Sequence, residues 1–490
     1  MDYSHLKSGT DIRGYATDLG GHKTELTDEA IKSIACAFVL WCEQKTGVKA
    51  QDLKISVGHD SRITAQRIKS NVISSLVSSG VTVYDCGLSS TPAMFMTTVD
   101  ISCDAAIQIT ASHHPFDRNG LKFFLPQGGL EGSDISEILA LASSDKKVNS
   151  KAQGVVISKD FMSVYAKGLR DKIINGVKKG DKPLEGLHII VDAGNGAGGF
   201  YAEKVLKPLG ANISGSQFLE PDGMFPNHIP NPENKQAMES ICSAVKNSGA
   251  DLGIIFDTDV DRAGAVDSNG NEINRNRLVA LASYIALSGI KDGTVVTDSV
   301  TSDGLKEYIE TTLNGKHYRY KRGYKNVIDK AIELCKNGEN CPLAIETSGH
   351  AALRENYFLD DGAYLVTKII IELAKGMDIE KVLSPLKMPV EEREVRFTIK
   401  ADDFRTYGNN VISELKKFVT GKSNYKIADD NREGIRVSTE NGWFLLRLSV
   451  HDPVMPMNFE SNVEGGIDKD VERLRPFFDK FDMLVAPSDF

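Results

Sequence analysis

The sequence predicts an α/β protein built of three tandem, similar α/β domains and a smaller C-terminal α+β domain. Three observations carry this. Apolar runs bounded by glycine and polar turns alternate with helical patterns over the first 385 residues, which is the signature of α/β units. Strands recur in pairs: those ending at Val57, Val191 and Thr297 are followed after 52, 65 and 48 residues by strands ending at Ile109, Phe256 and Ile345. Beyond Pro389 the apolar pattern changes to period two, the period of a half-buried strand.

The expected strands of the first part are 53–57, 105–109, 187–191, 252–256, 294–297 and 343–345, each short and apolar, as strands buried on both faces are. The repeat is structural, because the three copies share no common word. In the last part, period-two patterning covers 394–399 and 434–448, and a charged amphipathic helix is expected around 467–481. The domains are therefore expected at 1–160, 161–272, 273–386 and 387–490.

With 58 Lys+Arg against 67 Asp+Glu the net charge is −9, and 41% of residues are apolar, an ordinary globular composition. No Lys/Arg-rich run offers a footprint for nucleic acid or an anionic membrane. The longest apolar stretches fall short of the ~20 residues that a membrane span requires. Met-Asp-Tyr-Ser-His at the N-terminus lacks a basic segment followed by an apolar one, so a cytoplasmic protein is expected. Seven scattered cysteines without a C-x-x-C pair read as reduced, mostly buried thiols.

Ligands of open α/β sheets bind beyond the carboxyl ends of the strands, and three such loops stand out. The first reads Thr110-Ala111-Ser112-His113-His114-Pro115 and runs on to Lys122. A serine in a turn commonly caps a backbone N–H, but this one is neighboured by two histidines and lacks the elbow of an α/β-hydrolase. The second reads Asp257-Thr258-Asp259-Val260-Asp261-Arg262. Carboxylates at i, i+2 and i+4 of an extended segment project to one side, and their mutual repulsion calls for a hard divalent ion, with Mg²⁺ the expected one. An EF-hand is excluded by Arg262 at the sixth position and Ser268 at the twelfth. The third reads Glu346-Thr347-Ser348-Gly349-His350, and its short polar side chains suit sugar hydroxyls as well as a helix cap. A fourth segment, 194–199, fits G-x-G-x-x-G with Glu220 some 20 residues on, so a dinucleotide-dependent dehydrogenase is the competing class. The three aspartates would have no role in hydride transfer.

Taken together, these loops resemble those of the α-D-phosphohexomutase superfamily, the phosphoglucomutases and phosphomannomutases, over almost the whole chain. The first loop is similar to the phosphoserine loop, with His114 where Asn is usual; the second matches the magnesium loop; the third resembles the sugar-binding loop. Ser8-Gly9-Thr10-Asp11-Ile12-Arg13-Gly14, Gly58-His59-Asp60-Ser61-Arg62 and Pro221-Asp222-Gly223-Met224-Phe225-Pro226-Asn227 also look like family segments. The resemblance implies four domains around a central cleft and an interconversion of hexose 1- and 6-phosphates (glucose and/or mannose) through a hexose 1,6-bisphosphate, which also acts as activator. A phosphoglucosamine mutase and a non-catalytic sugar-phosphate-binding relative are the alternatives.

By the same resemblance Ser112 carries the phosphoryl group and, with Asp257, Asp259 and Asp261, holds Mg²⁺. Arg13, His113, Lys122 and Arg262 surround the transferring group, and Lys122 and His350 are the candidates for proton transfer. Glu346 and Ser348 grip sugar hydroxyls, and Lys321, Arg322 and Lys325 lie in a substrate-contacting loop. Arg447, Ser449 and His451 fall in the terminal phosphate loop, which departs from the family: Val450 replaces a small residue, His451 replaces the threonine and Pro456 stands in place of a second arginine. The partners expected are small sugar phosphates, with neither nucleic acid nor membrane, and the assembly is a monomer or homodimer. Charge supports the site independently, since three carboxylates, Mg²⁺ and a phosphoserine sum to roughly −3 and require nearby cations.

Overall fold

The computed structural model describes residues 1–490 apart from 145, 147, 149–152, 450, 451 and 489; the phosphate-loop residue His451 thus lies outside the described residues. Two compact units result, one of residues 1–274 with 348–379, the other of 275–347 with 380–490. The stretch expected as a third domain is therefore shared between them. Among the described residues no helix is long and apolar enough to cross a membrane.

In the first unit the larger sheet runs in the order Lys7–Ser8, Asp11–Tyr15, Arg118–Leu125, Ala105–Ile109, Lys54–His59, Thr82–Leu88, Val156–Ser158. Its last four strands are mutually parallel, and Arg118–Leu125 and Asp11–Tyr15 pair antiparallel on the other side. Ala105–Ile109 is buried at every residue, as the unbroken apolar run requires. The core beneath joins these strands to the helices Asp28–Thr46, Ala65–Ser78 and Gly132–Ser143 through Phe38, Val57, Ile107, Phe123 and Ile138. Thr27 begins the first of these helices by accepting the Ala30 N–H, and Gly47, at φ 74°, ends it, the usual chemistry of helix ends.

The smaller sheet orders Glu272–Ile273, Ala263–Asp267, Leu252–Phe256 and Ile189–Asp192. Leu252–Phe256 runs parallel to Ile189–Asp192 and antiparallel to Ala263–Asp267. The strand expected at 187–191 starts two residues late because the Leu187 N–H closes a turn on the Leu184 carbonyl. Residues 348–379 add the hairpin Ala351–Leu353 with Leu359–Asp360 and the helix Gly362–Ala374. Asp361 caps that helix, accepting from the Tyr364 N–H at 2.8 Å and the Tyr165 hydroxyl at 2.6 Å.

In the second unit Lys316–Arg319, Thr294–Thr297 and Leu343–Ile345 form a parallel set. A separate antiparallel sheet orders Lys426–Ile427, Ile435–Ser438, Gly442–Leu446, Val454–Ser461, Glu391–Ile399 and Leu484–Val485. The helices Phe404–Val419 and Gly466–Phe478 cover it, with Phe397, Phe444, Phe459, Phe477 and Phe478 in its core. The period-two run expected over 434–448 is thus two strands, joined by a turn in which the Thr439 N–H donates to the Gly442 carbonyl at 2.8 Å. The core-facing positions shift parity across the turn, from Ile435 and Val437 to Phe444 and Leu446, which pair with them.

A buried ion pair steadies the smaller sheet. His228 Nε2 lies 3.0 Å from Asp192 Oδ2, both nearly inaccessible, and Asp192 also accepts from the Gly194 N–H and the Gln217 amide. Burial lowers the His228 pKa, but the Asp192 carboxylate outweighs it and the net direction is upward. A raised folded pKa stabilises most below the free value of about 6.5 and loses that contribution as pH climbs through the folded value. Urea unfolding of the parent should therefore weaken from about pH 6.5 upward, and His228→Gln, which cannot be charged, should flatten that decline.

Candidate active site

The turn after Ala105–Ile109 places Ser112 in the left-handed backbone region at φ 53°, its side chain buried. For a residue with a Cβ that conformation costs about 1–2 kcal/mol, so tertiary contacts must hold it. The Ser112 hydroxyl sits 3.2 Å from His113 Nδ1, 3.3 Å from Arg262 Nη2 and 3.3 Å from Asp257 Oδ2. Arg262 also donates to His113 Nδ1 at 2.5 Å and through Nε to Asp257 at 3.1 Å. Burial, then the Arg262, His114 and Arg13 charges, drive the His113 pKa far down. The imidazole is neutral, as an acceptor for a guanidinium must be. His114 stacks on it at 5.1 Å between centroids and is itself pushed down to about 3, chiefly by burial and then by Arg13.

Asp257, Asp259 and Asp261 follow Leu252–Phe256 and are all buried, their oxygens within 4.8 Å of one another. Burial, then Asp261 and Asp259, push the Asp257 carboxyl well up. Burial acts the same way on Asp261, but Lys122, His350 and Arg262 reverse it, and its net direction is downward. Lys122 reaches across from Arg118–Leu125 to Asp259 at 3.0 Å and Asp261 at 2.5 Å. Burial alone would lower its pKa, yet these carboxylates hold it well above the ordinary lysine value. Thr91 donates to Asp259 through its hydroxyl, and its N–H donates to the Asp259 carbonyl. After all of this Asp259 Oδ1 and Asp261 Oδ1 remain buried with no hydrogen-bond partner among the described residues. Unpartnered carboxylate oxygens in a cluster this tight are the donor set of a hard cation, and the cluster fits a metal.

The backbone of the aspartate loop and just after it is approached closely at two points. A Cβ at Gly196 would sit 2.6 Å from the Thr258 carbonyl oxygen, and the Ala197 N–H donates to that oxygen at 2.8 Å. The G-x-G-x-x-G run is thus a close contact with the chain's own backbone, which removes the dinucleotide reading. Just after the loop a Cβ at Gly349 would meet the Ala263 oxygen at 2.6 Å, and Arg262 and His350 form an isolated antiparallel bridge. His350 Nδ1 lies 3.0 Å from the Ser348 hydroxyl, and Nε2 lies 3.8 Å from Asp261. Ser348 and His350 are thereby brought to the aspartates, with Ser112, His113, Lys122 and Arg262. Arg13 pairs with Asp11 at 2.7 Å, and its charge acts on both histidines and Lys122.

The remaining expected residues belong to the second unit. Glu346 is buried and accepts the Gly323 N–H at 2.6 Å. Beside it Asp298 is pushed up to about 7 by burial and then by Glu346, and Arg322 opposes this from 4.0 Å. Lys325 pairs with Asp329 at 2.6 Å, whereas Lys321 is exposed. Just before these residues, Arg319 is buried between Asp303 and Asp430, at 2.7 Å from each. Arg447 is buried, and the Ser449 hydroxyl accepts from the Asp452 N–H at 3.3 Å. Sequence reasoning missed Thr91, which carries no motif, and gave Arg62 no role although it quoted the segment that ends on it.

Three sequence profiles match the chain: phosphoglucomutase/phosphomannomutase α/β/α domain I over residues 9–162, domain II over 164–270 and domain III over 274–387. A phosphoglucomutase of Neisseria gonorrhoeae is 30% identical over 94% of this chain and 95% of its own. A phosphomannomutase/phosphoglucomutase of Pseudomonas putida is 29% identical over 93% of this chain and 94% of its own. The crystal structure of a phosphoglucomutase/phosphomannomutase family protein from Burkholderia thailandensis superposes with a TM-score of 0.82 at 25% identity, covering 99% of this chain and all of that one. With Ser112, the aspartate loop and His350 assembled at one place, and three domain profiles matched in order, the chain belongs to the phosphoglucomutase/phosphomannomutase family.

Proposed function

We propose that the protein is a hexose-phosphate mutase that interconverts hexose 1-phosphate and hexose 6-phosphate, with Ser112 as the phosphoryl carrier. The observation that carries this reading is the Ser112 hydroxyl held at 3.3 Å from both Asp257 and Arg262, beside a carboxylate cluster with two orphaned oxygens. Names of the similar relatives support glucose and mannose phosphates as substrates. Asp257, Asp259 and Asp261, with the Ser112 phosphoryl oxygens, would hold Mg²⁺, which supplies positive charge where phosphoryl charge develops.

Each remaining role follows from what a side chain can do where it stands. Arg262 offers a guanidinium to the Ser112 oxygen while Asp257 fixes its orientation, so its charge needs no rearrangement during transfer. Neutral His113 accepts from Arg262 and keeps that donor directed. Lys122, tied to two carboxylates, keeps its proton and acts as a fixed cation rather than as a base. His350 therefore takes the part of general acid and base toward the sugar hydroxyl, with Ser348 orienting its ring and Glu346 binding hydroxyls. Arg322, Lys321, Lys325, Arg447, Ser449 and His451 serve the phosphate that is not being transferred. Phospho-Ser112 gives its phosphoryl group to the free hydroxyl; the bisphosphate reorients and returns its other phosphate to Ser112. Hexose 1,6-bisphosphate accordingly primes the unphosphorylated enzyme.

A coupled assay with glucose 1-phosphate, mannose 1-phosphate and glucosamine 1-phosphate, each with a trace of glucose 1,6-bisphosphate, tests this reading. The parent is expected to prefer glucose or mannose, and Ser112→Ala to lose on the order of a thousandfold or more in kcat. Peptide mapping should find a phosphoryl group on Ser112 of the parent. A parent that turns over none of the three substrates would sink the proposal.

Mg²⁺ binding is a separate expectation. Calorimetry should show one ion per chain, and at 100-fold over the dissociation constant that ion should add about 2.7 kcal/mol of stability. Asp259→Asn should weaken binding at least about tenfold without lowering the metal-free unfolding midpoint, since it relieves like-charge crowding.

A further inference from the structure

The guanidinium of Arg62 is fully buried and paired with the equally buried Asp60, Nε to Oδ2 at 3.1 Å. Every other donor of the fork goes to a main-chain carbonyl of a single turn. Nη1 donates to Pro115 at 2.6 Å and Arg118 at 3.0 Å; Nη2 donates to His114 at 2.7 Å and to Ser112. One side chain thus ties together four carbonyls between residues 112 and 118. Phe225 lies over the guanidinium, 5.3 Å from its carbon to the ring centroid. Two residues before it, a Cβ at Gly223 would meet the Ile63 nitrogen at 2.3 Å, so this second loop packs directly on the segment that bears Arg62.

The side chains of the turn itself supply little that would hold Ser112 at positive φ. Its N–H donates to the Thr110 hydroxyl at 2.9 Å, and Arg62 takes its carbonyl. Five N–H groups in a rigid planar fork can span several carbonyls at once, whereas an ammonium offers three donors from one point. A carboxylate at Nε turns the fork, because Asp60 also accepts the Arg62 N–H at 3.0 Å. We propose that Arg62 is a positioning residue: it fixes the 112–118 turn so that the Ser112 hydroxyl stays against Asp257 and Arg262, an inference that rests on Ser112 being the phosphoryl carrier.

The test combines hydrogen exchange read by mass spectrometry with steady-state kinetics on the parent, Arg62→Lys and Asp60→Asn, all as full chains. In Arg62→Lys the amides of 112–118 should exchange about tenfold faster or more, while those of Ala105–Ile109 keep the parent's rates. Per folded molecule, kcat should fall about tenfold or more and KM for glucose 1-phosphate should stay within about twofold, since the Arg62 side chain is fully buried and spends its donors on the protein. Should Arg62→Lys fail to fold, Asp60→Asn, which keeps an acceptor but removes the paired charge, is expected to show the same split with smaller amplitude. Exchange reads the clamp even in a parent without turnover, which would overturn the mutase reading alone. Unaltered exchange in the turn, a uniform rise throughout the first unit, an unaltered kcat, or a KM that rises as kcat falls would each overturn the role of Arg62.

Discussion

Three carboxylates buried within 4.8 Å of one another are the constraint around which the first unit is arranged. Leaving such a group without positive charge is costly, since removing one partner of a buried ion pair is worth about 3–5 kcal/mol. Lys122 and Arg262 therefore both face inward and both are almost wholly buried, which neither side chain tolerates without partners. Two cations against three anions still leave an excess of negative charge, and the upward push on Asp257 from burial and its two neighbours shows the strain of it. The donor set of this cluster is that of a hard cation.

Bringing these charges together required separate stretches of backbone to meet at one loop, and the glycines record how. Gly196 and Gly349 approach the aspartate loop and the residue after it, each at a distance that no Cβ permits. The Thr91 N–H closes on the same loop at the Asp259 carbonyl. Because the strand Leu252–Phe256 is pinned between a parallel and an antiparallel neighbour, the loop at its end has a fixed origin. Rigidity at the strand and close contact at the loop together remove the freedom by which crowded carboxylates would otherwise move apart.

The parallel strands were legible because burial on both faces writes an unbroken apolar run, and the chemistry beyond their ends was legible because aspartate, serine and histidine have few other reasons to gather there. What failed did so for physical reasons. The glycine run at 194–199 satisfied a nucleotide pattern because a close approach of backbone to backbone and of backbone to phosphate demand the same missing Cβ. The period-two stretch over 434–448 hid a turn, because core positions 435 and 437 are followed by 444 and 446 in a second strand that folds back on the first. Arg62 was quoted without a role because its partners in the turn are main-chain carbonyls, which leave no trace in a sequence. Arg319 was given no role because its partners Asp303 and Asp430 are 16 and 111 residues away.

The departure at Pro456 finds a partial answer in the second unit. Pro456 lies within Val454–Ser461 opposite Arg396, and its carbonyl accepts the Arg447 N–H at 3.1 Å, so the position serves the sheet. Arg447 is buried, its Nε has no hydrogen-bond partner among the described residues, and burial and then the Arg322 charge lower its pKa. An orphaned buried donor costs about 1–3 kcal/mol, and the nearby Glu433, Glu394 and Asp298 offset the charge only in part. Two guanidinium groups that repel each other, one with an N–H unused among the described residues, are thus set among carboxylates rather than beside a third arginine. Pro456 keeps its place through the sheet, whose pairing uses its carbonyl and needs no side-chain charge there.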